Sequence, residues 1–159
     1  MDTADILAAL ELHYSVKNNP VSPEWAYFSE MAVDTGSPQR IDFYAINCWN
    51  SKRYLRIAYE IKVSRADFRA ELRAPLKRDA ALRLSNEFYF IAPRGLLKPV
   101  EMPEGCGLRE VNDEGRIVTR LRAPQRDTPD PDAGFLAALA RRACRAEKIK
   151  LVNFEVAQP

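Results

Sequence analysis

Two short apolar segments of this chain carry charged residues in their interior. The segment 41–46 contains Asp42 between apolar neighbours, and the segment 57–63 contains the sequence Glu60-Ile61-Lys62. An ionised side chain without a partner is costly to place in apolar surroundings. We therefore interpret both segments as strands of a sheet in which the charged residues serve chemistry rather than packing.

The alternation of side chains along a strand predicts where these residues point. Ala58, Glu60 and Lys62 share one face of the later strand, with Glu60 and Lys62 roughly 7 Å apart along it. If the two strands are neighbours, Asp42 and Glu60 converge on that face. The connector between the strands suits an antiparallel hairpin with a long loop.

Two converging carboxylates repel each other, and a divalent cation removes that cost. Mg²⁺ is held by one or two carboxylates together with water and a substrate phosphate. Lys62 would orient or activate a water molecule, or neutralise charge that develops on a phosphate. Zinc hydrolases that need two histidines are excluded because His13 is the only histidine. The alternative interpretation is a solvated face with a cross-strand ion pair.

The charge of the chain is unevenly distributed along the sequence. Residues 1–51 hold two basic and seven acidic side chains, whereas residues 52–83 hold ten basic and four acidic ones. A positive region beside carboxylates favours a polyanionic substrate such as nucleic acid, although a solvated charged surface is the alternative.

Basic residues continue beyond the second charged segment. Arg65, Arg69 and Arg73 are spaced by four and would form one stripe along a helix, and Lys77 and Arg78 extend the positive charge. We predict that these five residues contact nucleic-acid phosphates without reading sequence. The alternative is an ordinary solvated helix face.

Periodicity and turn residues predict an α/β fold with a mixed sheet flanked by helices. Thr3 is predicted to cap the first helix. Residues 93–115 are predicted to be irregular loops with short extended pieces. The predicted strands are 25–33, 40–47, 54–63, 87–92, 117–121 and 151–156, and the predicted helices are 2–14, 64–73, 75–84 and 135–146.

These motifs resemble the PD-(D/E)XK nuclease superfamily, although Ile41 replaces the proline that usually precedes the aspartate. Residues 60–69, 88–96 and 103–108 are similar to the MmcB-related DNA-repair group. The resemblance implies a restriction-endonuclease-like αβββαβ core over about 2–92, with a C-terminal helical addition over about 93–159. By the same resemblance, Asp42 and Glu60 would bind metal and Lys62 would be the catalytic lysine.

The resemblance further implies a Mg²⁺- or Mn²⁺-dependent deoxyribonuclease acting in DNA repair or mobile-element processing. Glu30 would be a third metal ligand, with Glu11 as the alternative extra acid. A catalytically inactive nucleic-acid-binding subunit with the same fold is the alternative function. A homodimer is compatible with this superfamily, but no sequence pattern marks an interface.

Length and composition set the remaining expectations. The 159 residues fit one domain. The three cysteines, Cys48, Cys106 and Cys144, form neither a disulfide framework nor a zinc pattern. Without a membrane-length apolar run or a leader segment, the sequence predicts a cytoplasmic protein that does not enter a membrane.

Overall fold

The computed structural model describes residues 1–19 and 21–156, with side chains up to residue 145. The elements in chain order are α1 (Thr3–Ser15), β1 (Trp25–Ala32), β2 (Arg40–Asn47), β3 (Arg56–Ile61), α2 (Arg65–Leu72), α3 (Leu76–Leu84), β4 (Glu87–Pro93), β5 (Gly107–Val111), β6 (Ile117–Leu121) and α4 (Ala133–Val156). Short 3₁₀ turns lie at Asn50–Lys52 and Pro99–Glu101.

The six strands form one mixed sheet in the order in which they occur along the chain. The first three strands are antiparallel, and α2 and α3 then cross over so that β4 lies parallel to β3. β5 is parallel to β4, and β6 returns antiparallel to β5. The predicted α/β architecture with helices flanking a mixed sheet is confirmed at this level.

Each face of the sheet packs against its own helices, because alternate residues of a strand point to opposite sides. One core contains Ile6, Leu10 and Tyr14 of α1 against strand residues such as Phe43 and Tyr59. The other core joins strand residues to α2, α3 and α4, and its members include Tyr44, Ala58, Phe90, Phe68, Ala81 and Phe135. Asp42 and Glu60 have the parity of Tyr44 and Ala58, so they belong to this second face.

The structure corrects several predicted boundaries. Asp2 rather than Thr3 caps α1, because its carboxylate accepts a hydrogen bond from the Asp5 backbone N–H. The residues around Tyr54 lie outside β3, which begins at Arg56. The predicted edge strand over 151–156 is wrong, since α4 continues to Val156. A short apolar run suits helix and strand equally, and here the helix propagates through it.

Strand β5 lies in the stretch that the sequence predicts to be irregular loops with short extended pieces. Its parallel pairing with β4 places Gly107 beside Tyr89. A Cβ atom at Gly107 would lie 2.5 Å from the Tyr89 ring, so only glycine allows this close approach. The strand depends on a partner that is distant in sequence, which local patterns do not reveal.

None of the helices within residues 1–19 and 21–156 combines the length and apolar character needed to cross a membrane.

Candidate active site

The register of β2 and β3 brings the two predicted carboxylates side by side. Phe43 lies opposite Tyr59, and one further step along the same antiparallel register places Asp42 opposite Glu60. The Asp42 carboxylate accepts a hydrogen bond of 2.8 Å from the backbone N–H of Ile61. This bond holds Asp42 against the end of β3, next to Glu60, as the alternation predicts.

Lys62 lies directly after β3 and is enclosed by carboxylates. Its side chain is 5% exposed, and its Nζ donates a 2.8 Å hydrogen bond to Glu60 Oε1. Asp67 and Glu71, both on α2, approach the same Nζ atom at 3.6 Å. Three carboxylates therefore surround one ammonium group, which leaves the cluster with excess negative charge.

Glu71 connects this cluster to a second buried cation. Its Oε1 atom is 3.2 Å from Arg78 Nη1, while its Oε2 atom faces Lys62. Arg78 also donates to the Glu71 backbone carbonyl at 3.0 Å, and its guanidinium lies 5.9 Å from the centre of the Phe90 ring. Arg78 thus holds α3 to α2 and neutralises part of the charge of Glu71.

The surroundings of these groups shift their proton affinities. Burial raises the pKa of Glu60 to about 7, and the charge of Asp42 adds to the increase while Lys62 opposes it. Burial also raises the pKa of Asp42, against the Ile61 hydrogen bond and the Lys62 charge. Desolvation alone would lower the pKa of Lys62, but the hydrogen bond and charge of Glu60, together with the charges of Glu71 and Asp67, outweigh it and raise that pKa. Asp42 and Glu60 therefore disfavour each other's ionised form.

Glu60 and Lys62 face an open pocket with a volume of about 710 Å³, which we call the acidic pocket, and Asp42 lies beside Glu60 without lining it. Its walls include Glu60, Lys62, Asp67 and Glu71, with Arg40 and Lys77 at its edge. Asp42 Oδ2 and Glu60 Oε1 are engaged by Ile61 and Lys62. Within the described residues, no hydrogen-bond donor reaches the second oxygen of either carboxylate.

The chemistry of this pair fits a divalent cation that keeps much of its water. Among the residues that the structure describes, no three His, Cys, Asp or Glu side chains are arranged to hold a metal ion. Asp42, Glu60 and Glu30 therefore do not form a three-residue ligand cluster. Mg²⁺ requires only one or two carboxylates when phosphate and water complete its coordination. The adjacent, mutually repelling carboxylates of Asp42 and Glu60 meet that requirement.

Glu30 lies near Asp42 without joining the acidic pocket. Its neighbours Ser29 and Met31 pair with Phe43 and Ile41, so the register places Glu30 beside Asp42. Its charge contributes to the raised pKa of Asp42. Its backbone has a φ of 51°, and its side chain is exposed in a separate pocket beside α4. A metal-binding role for Glu30 stays a prediction.

Glu11 lies on the other side of the sheet. It belongs to α1, which packs on the face that carries Phe43 and Tyr59, and its side chain is exposed. Since Asp42 and Glu60 point to the opposite face, the structure does not bring Glu11 to the site.

The five predicted phosphate-binding residues occupy unlike environments. Arg69, Arg73 and Lys77 are exposed. Arg65 forms a two-point ion pair with Glu101, with N–O distances of 2.5 and 2.6 Å. Arg78 is 7% exposed and is paired with Glu71, so it does not extend an exposed basic surface, and its contact with nucleic acid stays a prediction. Of the five predicted residues, only Arg69, Arg73 and Lys77 therefore present exposed side chains.

Sequence reasoning missed Glu71 as a member of the site. A usable signal exists, because Glu71 follows Phe68 by three residues and shares its buried face of α2. Arg78 follows on α3 and supplies the charge that makes burial of Glu71 tolerable.

Comparison with known proteins supports the fold. A scan against models of known families finds no match, and a search of curated proteins finds no relative. The chain is similar to the solved structure of SPO1766, a protein of unknown function from Silicibacter pomeroyi. The TM-score is 0.63 at 16% sequence identity, with 99% of this chain and 92% of that chain covered. This similarity extends over nearly the whole fold.

Proposed function

We propose that this protein is a Mg²⁺- or Mn²⁺-dependent nuclease that hydrolyses DNA phosphodiester bonds. One observation carries the proposal: Asp42 and Glu60 lie side by side at the end of β3, with Lys62 Nζ 2.8 Å from Glu60. Two carboxylates and a lysine at an open pocket suit the binding and cleavage of a phosphodiester.

Each residue has a distinct role in this proposal. Asp42 and Glu60 would hold the cation through the oxygens that Ile61 and Lys62 leave free. A bound Mg²⁺ or Mn²⁺ supplies charge stabilisation at the scissile phosphate and lowers the pKa of a coordinated water molecule. Lys62 is kept protonated by its three carboxylate neighbours, so it acts as a cationic hydrogen-bond donor to the phosphate and not as a base.

The restriction-endonuclease-like core is the finer fold assignment in this proposal. The order α1, β1, β2, β3, then the α2–α3 crossover and β4, follows the αβββαβ arrangement of the PD-(D/E)XK superfamily. The crossover places β4 parallel to β3, which supports this assignment. β5, β6 and α4 would then be additions to that core.

The substrate assignment depends on the basic residues around the acidic pocket. Lys77 and Arg40 lie at the pocket edge, and Arg69 and Arg73 are exposed on and just after α2. Their charge supports a polyanion, and DNA in repair or mobile-element processing is the substrate that the MmcB-related resemblance implies. A cytoplasmic location and a homodimer stay predictions within this proposal.

Nuclease assays on single-stranded, nicked, branched and duplex DNA test the proposal. We expect cleavage with Mg²⁺ or Mn²⁺, none with EDTA, and a loss of at least about 100-fold in Asp42→Ala and Lys62→Ala. Glu11→Ala is the matched control and should cut like wild type. Cleavage that persists in EDTA, or that is unchanged in both site variants, would overturn the proposal.

A nucleic-acid-binding subunit without catalytic activity is the second candidate. The observation that favours it is the enclosure of Lys62, whose three carboxylate neighbours leave its side chain only 5% exposed. This candidate would be favoured over the nuclease if the protein binds DNA but cleaves no substrate form in the presence of Mg²⁺ or Mn²⁺.

A further inference from the structure

A second pocket lies beside the acidic pocket, between the β1–β2 turn and α4. Its volume is about 330 Å³, and we call it the arginine pocket. Four arginines line it, together with two acids: Arg40, Arg141, Arg142, Arg145, Glu30 and Asp34. The positive charge comes from two elements that are about a hundred residues apart in the sequence, so the fold assembles it.

The spacing along α4 explains the shape of this pocket. Ala138, Arg141, Arg142 and Arg145 lie at intervals of three and four residues, so they share one face of the helix. Ala138 is buried and small, which leaves space between α4 and the turn. Arg142 is fixed by hydrogen bonds of 3.3 Å to the backbone and hydroxyl oxygens of Ser29. Arg141 and Arg145 are exposed at the edge.

The charges of this pocket are not neutralised from within. Across the part of the chain whose side chains are described, no carboxylate lies within 4 Å of these four guanidinium groups. Asp34 instead accepts a 2.5 Å hydrogen bond from the Thr35 backbone N–H. Four arginines against two acids leave a net positive pocket, which favours an anionic ligand.

The arginine pocket adjoins the acidic pocket. Pro38 and Arg40 line both, and Arg40 precedes Asp42 by two residues on β2. A strand whose phosphate lies at Asp42 and Glu60 would therefore pass Arg40 before it reaches α4. Small-ligand pockets span roughly 300–1,000 Å³, and the arginine pocket is at the lower end of that range. This size suits one sugar-phosphate unit and not a duplex.

We propose that the arginine pocket binds the phosphate backbone of an unpaired nucleic-acid strand next to the cleavage position. Arg141 and Arg145 contact phosphates, Arg142 is a positioning residue, and Arg40 connects the two pockets. This inference rests on the proposed function, because it takes the acidic pocket as the position at which the strand is cut.

The test measures binding of a fluorescein-labelled 12-nucleotide oligodeoxythymidine in EDTA, where metal-dependent cleavage does not occur. The variant is Arg141→Ala/Arg145→Ala, and the control is Arg53→Ala/Arg122→Ala, which removes two exposed arginines outside both pockets. Removal of two phosphate contacts should weaken binding about tenfold and reduce the slope of log K against log salt by about 1.4. The control should match wild type, and thermal unfolding of both variants verifies that they fold.

The outcomes separate this inference from the proposed function. Unchanged affinity and salt slope in Arg141→Ala/Arg145→Ala would overturn the inference, even if the protein cleaves DNA. A larger loss for a blunt duplex than for the single strand would also overturn it. If wild type never cuts DNA but the variant loses single-strand binding as expected, the nuclease proposal fails and the binding site stands.

Discussion

The two faces of the sheet each enclose a cation, buried Lys62 and half-buried Arg109, and they do so by opposite means. On one face, Lys62 is surrounded by the carboxylates of Glu60, Asp67 and Glu71. On the other face, Arg109 has no carboxylate within 4 Å among the described residues. Its guanidinium instead lies 4.1 Å from the centre of the Tyr89 ring and 5.3 Å from that of Tyr59.

Aromatic rings and hydroxyl groups complete the surroundings of Arg109. It donates a hydrogen bond to the Tyr59 hydroxyl, which is 2.7 Å from the Tyr14 hydroxyl. Burial raises the pKa of Tyr59, so its hydroxyl stays neutral. Ring faces attract a cation without introducing a formal negative charge.

The two faces differ in their balance of charge. The Lys62 side has more carboxylates than cations, so a bound metal ion would lower its electrostatic energy. On the Arg109 side, the rings of Tyr59 and Tyr89 already stabilise the positive charge. Under the proposed function, the Lys62 face of the sheet would carry the chemical site, whereas the Arg109 face serves packing.

The largest effect is expected for Glu60→Gln. Loss of a metal-binding carboxylate should reduce DNA cleavage by about 1,000-fold. The same change should raise the free energy of unfolding by about 1 kcal/mol in metal-free buffer, because it removes repulsion between Glu60 and Asp42. Cleavage assays and urea unfolding measure the two effects, with Glu11→Gln as control. A loss of both activity and stability would contradict the excess of negative charge around Lys62, on which the comparison of the two faces depends.

Removal of one arginine from each face compares the two faces directly. Arg78→Met leaves Glu71 buried with only Lys62 beside it, so we expect a loss of about 3 kcal/mol in unfolding free energy. Arg109→Met leaves no carboxylate behind and retains most of the packing volume, so its cost should stay below about 1.5 kcal/mol. Urea denaturation measures both. Equal losses would show that the two cations are held in the same way.

Metal addition should stabilise the protein through the Lys62 face alone, because Asp42 and Glu60 lie there. At 100 times the dissociation constant, Mg²⁺ or Mn²⁺ would raise the free energy of unfolding by about 2.7 kcal/mol. Thermal unfolding with and without metal measures this gain. Arg109→Met should retain it, whereas Asp42→Asn should lose it. A gain of the same size in Asp42→Asn would place the ion elsewhere.

The smallest expected effect is a dependence of stability on pH, caused by His13 on the Arg109 side of the sheet. Burial, followed by the charges of Lys17 and Arg109, lowers the pKa of His13 from 6.5 to about 4. Lys17 Nζ also lies 2.7 Å from His13 Nε2, a contact that suits a neutral ring. Because the unfolded state then binds the proton more readily, this stability is complete above pH 6.5 and is lost as pH falls towards 4.

With a discount for the partial exposure of His13, the loss between pH 7 and 5 should be about 1 kcal/mol. The measurement is the difference in melting temperature between wild type and His13→Gln at each pH. Titration of the carboxylates affects both proteins equally, so it cancels in this difference. A difference that is constant across this range would contradict the lowered pKa.

The core of the candidate site could be predicted because it depends on local rules. Alternation fixes the shared face of Glu60 and Lys62, and a hairpin places Asp42 beside them. Both rules need only nearby sequence. The enclosure of Lys62 by Glu71, and of Glu71 by Arg78, depends on how α2 and α3 pack on the sheet. The spacing of residues within either helix does not reveal the angle at which that helix packs on the sheet.

Long-range pairing accounts for the remaining differences. β5 forms where Gly107 allows the Tyr89 ring to approach, and that contact joins residues 18 positions apart. The arginine pocket depends on α4 reaching back to β1, where Arg142 bonds Ser29 across 113 positions. Sequence patterns could not place the arginines of α4 beside the β1–β2 turn.

The left-handed backbone at Glu30 has a consequence for the behaviour of the protein in solution. β1 is an edge strand, and Glu30 interrupts its regular pleat with a φ of 51° and a charged, exposed side chain. A straight apolar edge is a template on which a strand of another molecule can add, and a charged kink prevents that addition. Glu30 thus protects the open margin of the sheet against aggregation, whatever its part in metal binding.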